Sequence, residues 1–139
     1  MFKTIMVPVD LAHANRMERA TTAAADLAKH YGATLIYVGV TAPTPSPIAH
    51  TPQEFARKLQ AYADDQAAKH GHQASAHAMV SHDPTIDLDD TLLRAVGEIG
   101  ADLVVMASHI PNVADHIWPS NGGYIASHAK SSVFIVRMA

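Results

Sequence analysis

The chain has 139 residues, 48% of them hydrophobic and 17% charged, with a formal net charge of -3. That length fits one domain spanning 1–139 with enough chain to bury a core. The charge gives no pull toward nucleic acid or an anionic membrane, and the absence of cysteine excludes disulfides, thiol catalysis and Cys-ligated zinc. No apolar stretch reaches the length of a bilayer span. The start, Met1 to Asp10, carries Pro8 and Asp10 where a signal peptide needs an apolar region and a small-residue cleavage site. A cytoplasmic protein is expected.

Lys3 to Val9 reads as a first buried strand, ending at Asp10. In an open parallel sheet that strand end borders the ligand crevice, so Asp10 is a candidate contact; it is equally a candidate helix cap. From His13 to His30, Met17, Ala20, Ala24, Leu27 and Ala28 recur at helical spacing, and Gly32 suits the helix end. Thr34 to Val40 is β-branched and apolar, a second strand. Gly39 within it admits close approach, either of a ligand or of a packed helix.

Thr41 to Pro52 holds Pro43, Pro45, Pro47 and Pro52 and is expected to be an extended loop. A helix follows over Pro52 to His70, with Thr51 as N-cap, Pro52 at the first helical position and Glu54 closing a capping box. Gln73 to Ser81 alternates weakly, as a strand exposed on one face or near an edge. His82 to Asp87 is expected to be a loop and Leu88 to Ile99 a helix. Asp87, Asp89 and Asp90 then sit at the positive end of its dipole, a commoner role for such a cluster than metal binding. Leu103 to Ala107 is a fourth strand, Asn121 to His128 a short helix, and Val133 to Arg137 a fifth strand.

Alternating strands and helices predict an α/β fold: a doubly wound, five-stranded parallel sheet in order 3-2-1-4-5, with helices on both faces. The stretch Leu103 to Arg137 organises it. A strand, a loop and then a helix start opened by Ser120-Asn121-Gly122-Gly123 form the arrangement that α/β proteins use to hold phosphate.

With these elements placed, the chain resembles the universal stress protein family, of the UspA-domain type. The resemblance runs the whole length. It rests on Ile5-Met6-Val7-Pro8-Val9-Asp10, on Ala33 to Val40, on Ala101 to His109 and on His128 to Arg137. Ala107-Ser108-His109, Pro111 and the downstream Ser120-Asn121 resemble the F/G-type branch. The resemblance implies a Rossmann-like or flavodoxin-like fold and a homodimer joined through the last strand, Val133 to Val136. It further implies an adenine nucleotide, ATP or AMP, with or without magnesium, and a sensor or regulator acting on protein partners the sequence does not name. It implies no general enzyme activity beyond slow ATP hydrolysis, and no catalytic residue is assigned. By the same resemblance Val40 holds the adenine and Pro8 and Val9 line it. Asp10 faces the ribose or a phosphate-bound metal, Met106, Ala107, Ser108 and His109 border the ribose and phosphates, and Pro119, Ser120 and Asn121 meet the phosphates.

The three glycines of the family's phosphate loop fall on Ala107, Ile110 and Pro119. Ile110 is β-branched and resists positive φ, and Pro119 has no N–H to offer. Weakened triphosphate binding is expected, with an adenosine pocket retained; the rival reading is an interaction module that no longer binds nucleotide. Ten histidines invite a metal reading, through His70, His72, His77 and His82. Without cysteine or two histidines at four-residue helical spacing, no native metal site is assigned. Trp118 suits packing or an interface more than base stacking.

Overall fold

The computed structural model of the protein describes residues 1–108 and 121–137. Five parallel strands are β1 (Thr4–Pro8), β2 (Thr34–Thr41), β3 (Ala74–Val80), β4 (Leu103–Ala107) and β5 (Ser132–Val136). Their order is β3-β2-β1-β4-β5, as the alternation predicts. The central strand β1 pairs on both sides, with Ile5 opposite Leu35 and Leu103.

The α-helices are α1 (Glu18–Tyr31), α2 (Pro52–His70), α3 (Pro84–Ile99) and α4 (Asn121–His128). The reversal of direction at β1 puts α1 and α2 on one face and α3 and α4 on the other, because such crossovers are right-handed. Lys69 of α2 reaches Glu18 of α1 at 2.9 Å, and α3 touches α4. Ile5, Leu35, Tyr37, Leu59, Leu92 and Met106 are fully buried between these layers. Each burial of that kind contributes roughly 1.5–3 kcal/mol.

Two helix starts differ from expectation. The segment after β1 opens not as one helix but as a 3-10 helix, Leu11–Met17, that turns into α1 at Glu18. His13, at φ -130°, breaks its regularity. The helix expected from Leu88 begins four residues earlier, at Pro84. Asp83 caps it by accepting from the Ile86 N–H at 3.3 Å, with Pro84 at the first position. This repeats the chemistry of Thr51-Pro52, whose Thr51 Oγ1 accepts from the Glu54 N–H at 3.1 Å. The capping Asp83 and Pro84 at the first position start the helix inside the stretch expected to be a loop. Of the three acidic residues, only Asp87 lies in the first turn.

Asp102 ties the central pair together at the opposite edge from the strand C-termini. Its carboxylate accepts from the N–H groups of Lys3 and Thr4 at 2.9 and 3.0 Å, and its own N–H donates to Thr4 O.

Candidate functional site

Parallel strands point their C-termini the same way, and one edge of the sheet therefore gathers Val9, Thr41, Ser81 and Ser108. The ladder continues there: the Val9 N–H donates to Val38 O, Ser81 to Thr41 O, and Ser108 to Val136 O. Beside the ends of β1 and β2 lies a cavity of about 390 Å³. Small-molecule sites run from roughly 300 to 1,000 Å³. Val9, Leu11, Val40, Ile48, Phe55 and Leu88 supply an apolar wall, and Asp10 and His13 a polar one.

Strands, a loop and helices build it together. β1 and β2 deliver Val9 and Val40 at their ends. The loop after β2 folds back over the opening with Ser46, Pro47 and Ile48. Its shape is held locally: Ser46 N–H donates to Ala49 O at 2.8 Å, and Ser46 Oγ accepts from the N–H groups of Ile48 and Ala49. Lys58 of α2 donates to Ile48 O. The helices contribute Phe55 from α2 and Pro84 and Leu88 from α3.

Asp10 performs the capping role. One carboxylate oxygen accepts from the Ala12 N–H at 3.1 Å and the other meets His13 Nδ1 at 2.8 Å. The pair is sheltered, with side chains 9% and 22% exposed. The Asp10 N–H points at Met17 Sδ, 3.4 Å away, which seats the turn on the core.

Of the residues singled out from the sequence, Val9, Asp10 and Val40 line this cavity. Pro8 is buried within the sheet beneath it. Met106 and Ala107 are buried in β4, and Ser108 is half-buried, its N–H held by β5; none of the three lines the cavity. Asn121 begins α4. His109, Ile110, Trp118, Pro119 and Ser120 lie outside the described residues. The sequence reading missed His13 and the loop contacts Ser46 to Ile48. The signal for His13 was its place three residues after Asp10, within reach of a carboxylate in a tight turn.

Gly39 serves packing. A Cβ built there falls 2.8 Å from Phe55 Cζ, so α2 sits directly on the strand. Gly122 does the same for α4, where a Cβ meets Ile135 Cδ1 at 2.9 Å.

The histidines read as metal candidates are scattered. His70 and His72 stack at 6.1 Å between ring centroids, and His77 pairs with Glu98 at 3.0 Å. Among the described residues, no three histidine or carboxylate side chains converge on a cation position. Burial, then the nearby Lys69, His72 and Lys29, holds His70 below the ordinary imidazole value, against a smaller opposing pull from Asp26. Burial and the adjacent Asp90 hold Asp89 above the ordinary carboxylate value.

A parallel 3-2-1-4-5 sheet with a crevice at its strand C-termini defines a doubly wound α/β protein. The family model of the universal stress protein family matches residues 1–137, and the chain belongs to that family. It is 28% identical over 149 residues to universal stress protein G of Escherichia coli O157:H7, covering 99% of this chain and 100% of that one. A crystal structure of a universal stress protein in complex with cAMP shares the fold at TM-score 0.71, with 21% identity and 99% of each chain covered. The universal stress protein of Archaeoglobus fulgidus in complex with dAMP does so at 0.66, with 19% identity and 96% of each chain. Among the described residues, no helix is long and apolar enough to cross a membrane.

Proposed function

We propose that this protein is a cytoplasmic, single-domain universal stress protein that binds an adenine nucleotide at the ends of β1 and β2 and acts as a homodimeric sensor or regulator. The observation that carries the reading is the cavity of about 390 Å³ with Val9, Asp10 and Val40 in its wall. These are residues that the family resemblance assigns to the base and ribose. The structural relatives bound to cAMP and dAMP support an adenine ligand.

The phosphate grip is weak in this reading. Ile110 and Pro119 take the places of backbone-exposing glycines, so fewer N–H groups can face a triphosphate. Affinity then rests on adenosine, with AMP, ADP and ATP bound alike and magnesium adding little. The dimer forms through β5, an edge strand with Phe134 46% and Ile135 42% exposed. That exposed apolar pair is also what favours a second reading, an interaction module that binds no nucleotide.

Calorimetric titration of the dialysed protein with ATP, ADP and AMP, each with magnesium, tests both. Similar affinities for all three are expected. Much tighter binding of ATP would overturn the weakened grip, and no heat at millimolar nucleotide would leave the interaction module.

A further inference from the structure

The nucleotide reading casts Asp10 as a direct ligand contact. The local geometry makes it act through its neighbour. Each Asp10 carboxylate oxygen already accepts a hydrogen bond inside its own turn, one from the Ala12 N–H and one at His13 Nδ1. A carboxylate can only accept, so Nδ1 carries the proton in this pair. That fixes the neutral imidazole in one tautomer and leaves the lone pair on Nε2. His13 lines the cavity, and its Nε2 has no partner among the described residues. Most of the lining is apolar, with Val9, Leu11, Val40, Ile48 and Phe55, and the two hydroxyls in it, Thr41 and Ser46, already donate to Ala42 O and Ala49 O.

We infer that His13, oriented by Asp10, presents Nε2 as a hydrogen-bond acceptor to the pocket ligand and selects one with a donor at that point. The inference rests on the nucleotide reading above. Asp10 is then a positioning residue, and His13 a specificity-determining contact. The matching chemistry is a neutral donor, which adenosine carries in two places: its ribose hydroxyls and its exocyclic amine. A ligand without that donor strands Nε2 against apolar neighbours, and a polar atom without a partner costs affinity.

Two measurements test this on the full chain. The first is a nitrogen-15 spectrum of the histidine rings in the ligand-free protein at neutral to mildly alkaline pH. His13 is expected as the Nδ1–H tautomer, and as the Nε2–H tautomer in Asp10→Asn, where the amide N–H donates to Nδ1. An Nε2–H ring in the wild-type protein overturns the inference while leaving nucleotide binding untouched. The second is the affinity for adenosine, 2′,3′-dideoxyadenosine and purine riboside, which lacks the amine. Wild type is expected to prefer adenosine by roughly fivefold over whichever analogue lacks the recognised donor, the scale of one net hydrogen bond. His13→Phe and Asp10→Asn should both abolish that preference. Loss against the dideoxy analogue assigns the hydroxyls, and loss against the riboside assigns the amine. Equal affinity for all three in wild type, or a preference that survives both substitutions, overturns the inference alone. No adenosine binding by wild type overturns the nucleotide reading and this inference with it.

Discussion

The two edges of the sheet are built in opposite ways. At one edge β3 lies under α2, its Met79 is buried, and His77 is paired with Glu98 from α3. At the other, β5 carries Val133, Phe134, Ile135 and Val136 in a row, and two of these side chains stand exposed. The sequence is the reverse of what exposure would suggest. β3 is rich in alanine with polar residues interleaved, whereas β5 is as apolar as the buried β4. An apolar strand on an open edge is a template for pairing with another chain, and soluble proteins ordinarily blunt such edges. The difference teaches that a strand's composition and its exposure in one chain are separate quantities, and the proposed dimer through β5 is what would reconcile them.

Core truncation gives the largest effects and marks where this chain is self-sufficient. Leu59→Ala under the β2–β3 half should cost about 2–5 kcal/mol in denaturant unfolding, because Leu59 is fully buried. Gly39→Ala in the same half should cost about 1–3 kcal/mol, since the new methyl meets the Phe55 ring. Asp102→Ala, which strips two backbone donors of their carboxylate, should cost about 1.5–3 kcal/mol. By contrast, Phe134→Asp should barely alter the stability of a single chain. Sedimentation should instead show it shifting the protein toward monomer. If its main effect is unfolding with no change in association, the contrast between the edges is wrong.

Two titrations give the smallest effects, at the α2 end and on the opposite helix layer. The unfolded His70 imidazole titrates near 6.5, and the folded one below it. Between those points the unfolded chain binds the extra proton, so stability holds above pH 6.5 and falls as pH drops through the window beneath. His70→Gln should flatten that slope in urea melts taken across the window. Asp89 behaves inversely: its folded carboxyl is held above the unfolded 3.8, so ionisation weakens the fold as pH rises through the folded value. Asp89→Asn should therefore stabilise slightly at pH 7, and the gain should vanish below pH 3.8.

Much of the architecture was legible in the sequence. β4 was read with its exact bounds because five consecutive buried apolar residues leave little choice, and α2 because Thr51, Pro52 and Gly71 punctuate it. The strand order followed from alternation and handedness. The start of α3 was misread because His82 to Asp87 was read whole as a loop, although a capping carboxylate before proline, Asp83-Pro84, opens a helix. The site was legible only on one side. Asp10 was read from its strand end and Val9 and Val40 from the family resemblance, and all three line the cavity. His13 and Ile48 depend on how a short helix and a proline-rich loop turn back, and no periodicity encodes that.

The loop from Ala42 to His50 has a consequence of its own. Pro43 to Pro47 are exposed, Ala49 is its one buried residue, and its internal hydrogen bonds run through Ser46. Its tethers to α2 are Lys58, which donates to Ile48 O, and Glu54, which accepts from the His50 N–H. It is therefore a cassette, a stretch whose spelling can change between two fixed points, β2 and Thr51, without re-registering the sheet. Ile48 and Pro47 are written on that cassette, yet they face the cavity. A lineage can thus re-tailor the roof of the cavity by drift in this loop while the floor, set by β1 and β2, stays under the discipline of the core.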